Sequence, residues 1–249
     1  MTLKTFQADL HIHTCLSPCG DLEMSPQAIV RKAQESKLDI IAITDHNSVG
    51  NVTAVLEAAR NTPLTVIPGM EIASREEVHI VALFPSIEAA SGVEKTIQST
   101  LADSSDEHYF QDQVLATRDD EVDGFCTKLL ISATAYTIRQ LVDMIHDADG
   151  LAIAAHIDRQ AFGIIGQLGF IPPRVTFDAL EISWRVPGND GAARFAEYAH
   201  IPFVTASDAH YLDDIGRVRT YFRMETPVFE ELVAALKQSG SRRVEIVRS

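Results

Sequence analysis

The chain has 249 residues and carries 21 Lys and Arg against 35 Asp and Glu, a formal net charge of −14. That balance argues against a surface that grips long nucleic acid by neutralising phosphates, and it leaves small anionic substrates open. Apolar residues are 46% and charged residues 22%, too hydrophobic for a disordered chain, and the length suits two small domains or one large α/β barrel.

The first ten residues hold no apolar signal segment, and no run approaches the ~18 apolar residues needed to span a bilayer. A cytoplasmic protein without a membrane partner is expected; the oligomeric state stays open. Cys15, Cys19 and Cys126 are an odd set in a chain large enough to pack a core, so all three are expected as reduced thiols.

In chain order, the patterning predicts a strand over residues 6–13 and a helix over 25–36, where Ser25-Pro26 makes a good helix start. A strand over 39–44, a helix over 52–60, a strand over 65–72 and a short run over 79–84 follow. Beyond them come a helix over 138–147, strands over 151–155 and 179–183, and a helix over 191–200. Strands over 202–206 and 218–224, a helix over 229–239 and a strand over 243–247 complete the order. Repeated strand–helix order implies a largely parallel sheet, open or closed into a barrel. Residues 101–133 break this rhythm with eight acids against Arg118 and Lys128. They read as an insertion, a solvated excursion of loop and helix in preference to a lid or subunit contact. No repeat or linker is visible, so one domain over 1–249 is the simpler expectation.

His11 and His13 stand two apart at the end of the first predicted strand, which points both imidazoles to one face. His46 follows the second strand, Glu71 ends the third, His156 follows the run over 151–155, and Asp208 and His210 follow the one over 202–206. In a parallel barrel those strand ends share one rim, where active sites assemble from residues far apart in sequence. Each residue alone has a bland explanation, a surface side chain or an Asx turn. Their coincidence on strand after strand points to metal binding.

These residues also resemble a known family. Asp9-Leu-His-Ile-His-Thr14, Asp21-Leu-Glu-Met-Ser-Pro26, Ile43-Thr-Asp-His46, Gly69-Met-Glu71, His79, Ala155-His156 and Ser207-Asp-Ala-His210 are similar to the motifs of the PHP (polymerase and histidinol phosphatase) metal-dependent phosphoesterases. The resemblance runs in order along nearly the whole chain and explains the acidic insertion least. It implies a distorted (β/α)7 barrel, TIM-like, with two or three divalent ions. By position, His11, His13, Glu71 and Asp208 would hold one ion, Glu71 would bridge to a second on His79 and His156, and Asp21, His46 and His210 would hold a third. His108, His146 and His200 fall outside every motif. Two departures stand out. Cys-Leu-Ser-Pro-Cys-Gly between Thr14 and Asp21 is longer than the family's short link, and His79 precedes its strand run, which must turn back or pair antiparallel. Cys15 and Cys19 could serve as soft ligands but are read as mostly structural, since the histidines and carboxylates already complete the ligand set.

A set of N and O ligands suits Zn, Mn or Fe. Clustered ions of this kind generate a metal-bound hydroxide and neutralise phosphoryl charge, so phosphoester hydrolysis is expected. Asp208, the better general base, or His210 would manage protons. Arg159 and Arg185, just past motif strands, are candidates for binding substrate phosphate, with salt bridges as the alternative. Trp184 could stack on a base, though a core role is commoner. The leading expectation is a phosphatase of small phosphomonoesters that takes no long nucleic acid. An exonuclease on short oligonucleotides and a non-catalytic metal-binding regulatory module are the alternatives.

Overall fold

In the computed structural model, which describes residues 2–103, 112–186 and 188–246, the first strand, β1 (Lys4–Ile12), is the hub of a nine-stranded sheet. β2 (Ile40–Ile43) pairs parallel with it and β3 (Thr65–Ala73) parallel with β2. β4 (His79–Leu83) then folds back, antiparallel to β3 on one side and to β7 (Leu151–Ala154) on the other. β8 (Ala179–Ser183) and β9 (Phe203–Ala206) continue in parallel from β7. The end of β9 returns to β1: Ile12 and Ala209 form a parallel bridge, and the His13 N–H donates to the Ala209 carbonyl at 3.0 Å. The result is a nearly closed barrel of β1, β2, β3, β4, β7, β8 and β9, the distorted (β/α)7 arrangement that the resemblance implied. β10 (Thr220–Met224) and β11 (Arg243–Ile246) extend the sheet antiparallel beside the N-terminal half of β1.

Side-chain parity separates two cores, because successive residues of a strand face opposite sides. Leu10, Ile40, Ala42, Ile67, Val81, Leu83 and Ile153 fill the barrel, closed below by Phe222 and by Leu232 of α7 (Phe229–Leu236). Ile41, Ile43, Val66, Ile72, Ile80 and Ala152 face outward. They pack under α1 (Pro26–Glu35), α2 (Val52–Ala59), α3 (Ile87–Gln98) and α4 (Ile138–Asp147). Full burial of each such side chain contributes about 1.5–3 kcal/mol. α4 begins with a reciprocal capping box between Thr137 and Gln140. Ser25 stands at the start of α1 without a side-chain hydrogen bond, so Pro26 alone carries that helix start.

The 191–200 helix is shorter than expected: α6 (Gly188–Arg194) gives way to a single 3-10 turn at Ala196–Tyr198. α3 and the short α5 (Ile164–Leu168) lie where no helix was expected. Among its described residues the acidic insertion is a hairpin of β5 (Val114–Ala116) and β6 (Val122–Phe125), with no helix. His108, Asp106, Glu107 and the end of the 243–247 strand lie outside the described residues. The hairpin is tied down: the Val114 N–H donates to the Cys15 carbonyl, and Leu16, Leu101 and Leu130 pack together beneath it. No helix among the described residues is long and apolar enough to cross a membrane.

Candidate metal centre

The same parity that fills the barrel aims polar residues at its upper end. Gly69 and Glu71 continue the inward positions of β3 above Ile67; His79 does so for β4 beyond Val81, Glu181 for β8 above Ala179, and Asp208 beyond β9 above Ala206. β1 needs a correction, since Leu10 points inward and simple alternation would send His11 out. A register irregularity between Asp9 and Ile12 supplies it: Ile12 joins the outer core while His11 and His13 turn inward. Past the strand ends, Asn47, His156 and Asp208 have positive φ of 49°, 29° and 51°, a costly backbone state that tends to persist at functional sites.

Eight of the nine expected ligands converge. Glu71, 1% exposed, is ringed by imidazole nitrogens: His79 Nδ1 at 2.8 Å, His46 Nδ1 and His156 Nε2 at 3.1 Å, His11 Nε2 at 3.4 Å and His13 Nε2 at 3.5 Å. Asp208 Oδ1 lies 3.5 Å from His11 Nε2 and 3.4 Å from His13 Nε2. His210 stacks on His13 with ring centroids 4.2 Å apart. Three trios of ligand atoms are close enough to share a cation: His11 with His13 and Asp208, His46 with Glu71 and His79, and His13 with His46 and His210. Asp21 stays apart. Its Oδ1 accepts from the Glu23 N–H at 2.8 Å in a local turn, and only its backbone meets the centre, through a hydrogen bond to the His210 carbonyl.

Hydrogen bonds behind the imidazoles decide which nitrogen faces the centre. His11 Nδ1 donates to Glu181 Oε2 at 2.9 Å, and His13 Nδ1 to Ser17 Oγ at 2.9 Å, while that hydroxyl donates to Asp45 Oδ1. His210 Nδ1 donates to the Asp208 carbonyl. The Nε2 atoms are therefore turned inward, and those of His11 and His13 approach to 3.2 Å. Two ring nitrogens this close need a proton or a metal cation between them. His156 Nδ1 is buried without a hydrogen-bond partner among the described residues, an orphaned donor or acceptor beside the same cluster. The donor set thus fits bound divalent cations.

The electrostatics agree. Burial alone would raise the Glu71 carboxyl, yet His79, His11 and His46 hold it well below the ordinary range. Asp208 is likewise held far down, by His11 and His13 against its burial. Burial keeps His13 neutral, whereas Glu71 and Cys19 raise His46 to about 10. Ser17, Asp45 and Glu181 escaped the sequence reading, and Cys19, read there as structural, points its thiol at His46 and His210. Glu181 carried a signal, a lone acid in the apolar strand Ala-Leu-Glu-Ile-Ser.

Two cavities open from the centre. One of about 170 Å³ is walled by His46, Glu71, His79 and His156, with Phe162 and the insertion's Ile131 at its lip. A larger one of about 300 Å³ runs past Cys19, Arg159, Asp208 and His210 to Trp184, Arg185 and Tyr211. Arg159, a candidate for phosphate, donates from Nη1 to Asp208 Oδ2 at 2.6 Å and borders both cavities. Arg185 lies over Trp184 at 5.3 Å from its ring centre, with Arg217 closer at 4.3 Å. Trp184 is 39% exposed and so is not a core residue. His146 pairs with Asp178, and His200 is exposed, both away from the centre.

Residues 9–180 match the family profile of the PHP domain, and residues 187–239, which contain Asp208 and His210, match the profile described as PHP-associated. The 5'-3' exoribonuclease Rnm of Salmonella typhimurium is 36% identical over 80 residues, a match covering 30% of this chain and only 26% of that protein. The lesion-specific endonuclease Q of Pyrococcus furiosus superposes with a TM-score of 0.77 at 18% identity, over 97% of this chain and 58% of that one. An endonuclease Q complex with a 27-mer duplex bearing an abasic lesion at the active site gives 0.78 at 18% identity, over 96% and 58%. These relatives overturn the expectation of a small phosphorylated substrate to the exclusion of long nucleic acid. That exclusion rested on the net charge of −14, a sum over the whole chain. Binding answers to the local field, and Arg159 and Arg185 sit together at the mouth of the centre. By the profile that spans most of its length, the chain belongs to the PHP family, a family of metal-dependent hydrolases of phosphoester bonds.

Proposed function

We propose that this protein hydrolyses phosphodiester bonds of nucleic acid, using two or three divalent ions, Zn, Mn or Fe, held by His11, His13, His46, Glu71, His79, His156, Asp208 and His210. The observation that carries the reading is the pair of inward Nε2 atoms of His11 and His13, 3.2 Å apart beside Glu71 and Asp208. Ions bound there supply an acidified water and positive charge toward the phosphoryl oxygens. The chain's own groups do the rest. Glu181 and Ser17 fix the tautomers of His11 and His13, and Arg159 orients Asp208 while offering its remaining donors to a phosphate. Asp208, held far below the ordinary carboxylate range, is a poor proton acceptor at neutral pH, so we assign Asp208 to ligation in preference to proton transfer.

Nucleic acid as substrate is supported by the larger cavity, where exposed Trp184 and Tyr211 offer stacking faces beside Arg185 and Arg217. Residues 1–249 act as one unit in this reading, because Asp208 and His210 complete a centre otherwise drawn from residues 9–180. The test is cleavage of end-labelled single-stranded and duplex RNA and DNA by the metal-loaded protein, with phosphomonoesters alongside. Shortened strands are expected; phosphate release from monoesters with every strand left intact would refute the proposal.

A further inference from the structure

The nine-ligand pattern leaves a gap at the outer edge of the centre, where Asp21 does not arrive and Cys19 does. Cys19 Sγ lies 3.2 Å from His46 Nε2 and 3.1 Å from His210 Nε2, and His46 and His210 form one of the candidate trios with His13. We propose that Cys19 is a metal ligand, its thiolate completing with His13, His46 and His210 the site that the family pattern would close with Asp21. The inference rests on the metal-centre reading above and goes beyond it in giving the centre one sulfur donor.

The geometry suits the role. Tetrahedral zinc with Zn–S of about 2.3 Å and Zn–N of about 2.0–2.1 Å sets S and N about 3.6 Å apart, so the observed gaps need to open by only about half an ångström. His210 has its Nδ1–H tied to the Asp208 carbonyl, which leaves Nε2 free toward the sulfur. The chain between Thr14 and Asp21 is folded to hold the thiol there. Ser17 N–H donates to the Thr14 carbonyl, Gly20 N–H to the Ser17 carbonyl and Asp21 N–H to the His210 carbonyl. Gly20 is required at its position, since a Cβ would lie 2.4 Å from the Thr14 oxygen. The extra residues that set this segment apart from the family's short link are thus what delivers Cys19. The same path carries the Asp21 carboxylate past the centre to the Glu23 N–H. Cys15 is a natural control: it is buried, and its Sγ faces the Val114 carbonyl and Asn51.

X-ray absorption at the zinc edge of the zinc-loaded full chain reads the donors directly. The wild type is expected to show a sulfur neighbour at about 2.3 Å beside the nitrogen and oxygen shell. Cys19→Ser should lose that sulfur and retain one zinc fewer after dialysis against chelator, while Cys15→Ser and Asp21→Asn keep both. Zinc bound with nitrogen and oxygen neighbours alone overturns the inference and leaves the centre standing. A sulfur shell that survives in Cys19→Ser, or an ion lost from Asp21→Asn in its place, also overturns it. A chain that takes up no zinc overturns both this inference and the centre.

Discussion

Glu181→Gln removes one charge from behind the centre and leaves its shape unchanged. Glu181 is 1% exposed; its Oε2 accepts from His11 Nδ1 at 2.9 Å and its Oε1 from the His156 N–H at 3.2 Å. A glutamine can accept one of those hydrogens, and its amide then faces the other donor. The cheapest relief is for His11 to move its proton to Nε2, the nitrogen that faces Glu71 and Asp208. That proton must leave again before a cation can bind. Loss of such an orienting partner weakens metal binding about 10- to 100-fold, which is about 1.4–2.8 kcal/mol, and one unsatisfied buried donor costs the fold about 1–3 kcal/mol. Competition against a chromogenic chelator gives the first quantity and thermal unfolding of the metal-free protein the second. Unchanged affinity in a folded Glu181→Gln protein would refute the claim that Glu181 sets the His11 tautomer.

Three further outcomes follow from the same geometry. In the metal-free protein at pH 8, a thiol reagent should label Cys19 before Cys15, as read by peptide mass mapping. Hydrogen bonds from His210 and His46 outweigh burial and bring the Cys19 thiol to about 7, whereas burial pushes Cys15 to about 12. Earlier labelling of Cys15 would contradict this. Trp184→Ala should raise KM for a single-stranded oligonucleotide about 5- to 150-fold, the loss of about 1–3 kcal/mol of base stacking, with kcat preserved. An unchanged KM would remove Trp184 from the substrate path. Asp119→Asn, on the exposed turn between β5 and β6, should leave turnover and metal content as they are; lost activity at normal metal content would misplace the centre.

The barrel was legible because its strands are short β-branched runs, such as Ile40–Ile43, whose ends carry the candidate ligands. Parity from those runs alone places Glu71, His79 and Asp208 inward. β1 was legible only in part: His-x-His shows that two imidazoles share a face, but not that a register irregularity below them selects the inner one. The reversal at β4 was visible in His79, which opens its strand and so needs an antiparallel run to reach the rim. α3 was missed because Ser91-Gly92 at its middle weakens helix propensity and the small Ala89 and Ala90 thin the apolar stripe; Ala90, Val93 and Ile97 pack well only against the finished sheet. Asp21 and Cys19 are a lesson in loops. The resemblance named the acid, while the stacked turns from Thr14 to Gly20, invisible in composition, bring the thiol to His46 and His210. Charge misled most, since −14 describes the whole chain, whereas Arg159, Arg185 and Trp184 line one cavity beside the centre.

The most direct test of the central claim is the metal stoichiometry of the reconstituted protein, by elemental analysis, for wild type and for Glu71→Gln, with circular dichroism to confirm that the variant folds. Glu71 has five imidazole nitrogens within 3.5 Å and belongs to the candidate trio with His46 and His79. The account predicts two to three ions per wild-type chain and at least one fewer in the folded variant. A wild type that binds no metal, or a folded Glu71→Gln protein that keeps the full complement, would contradict it.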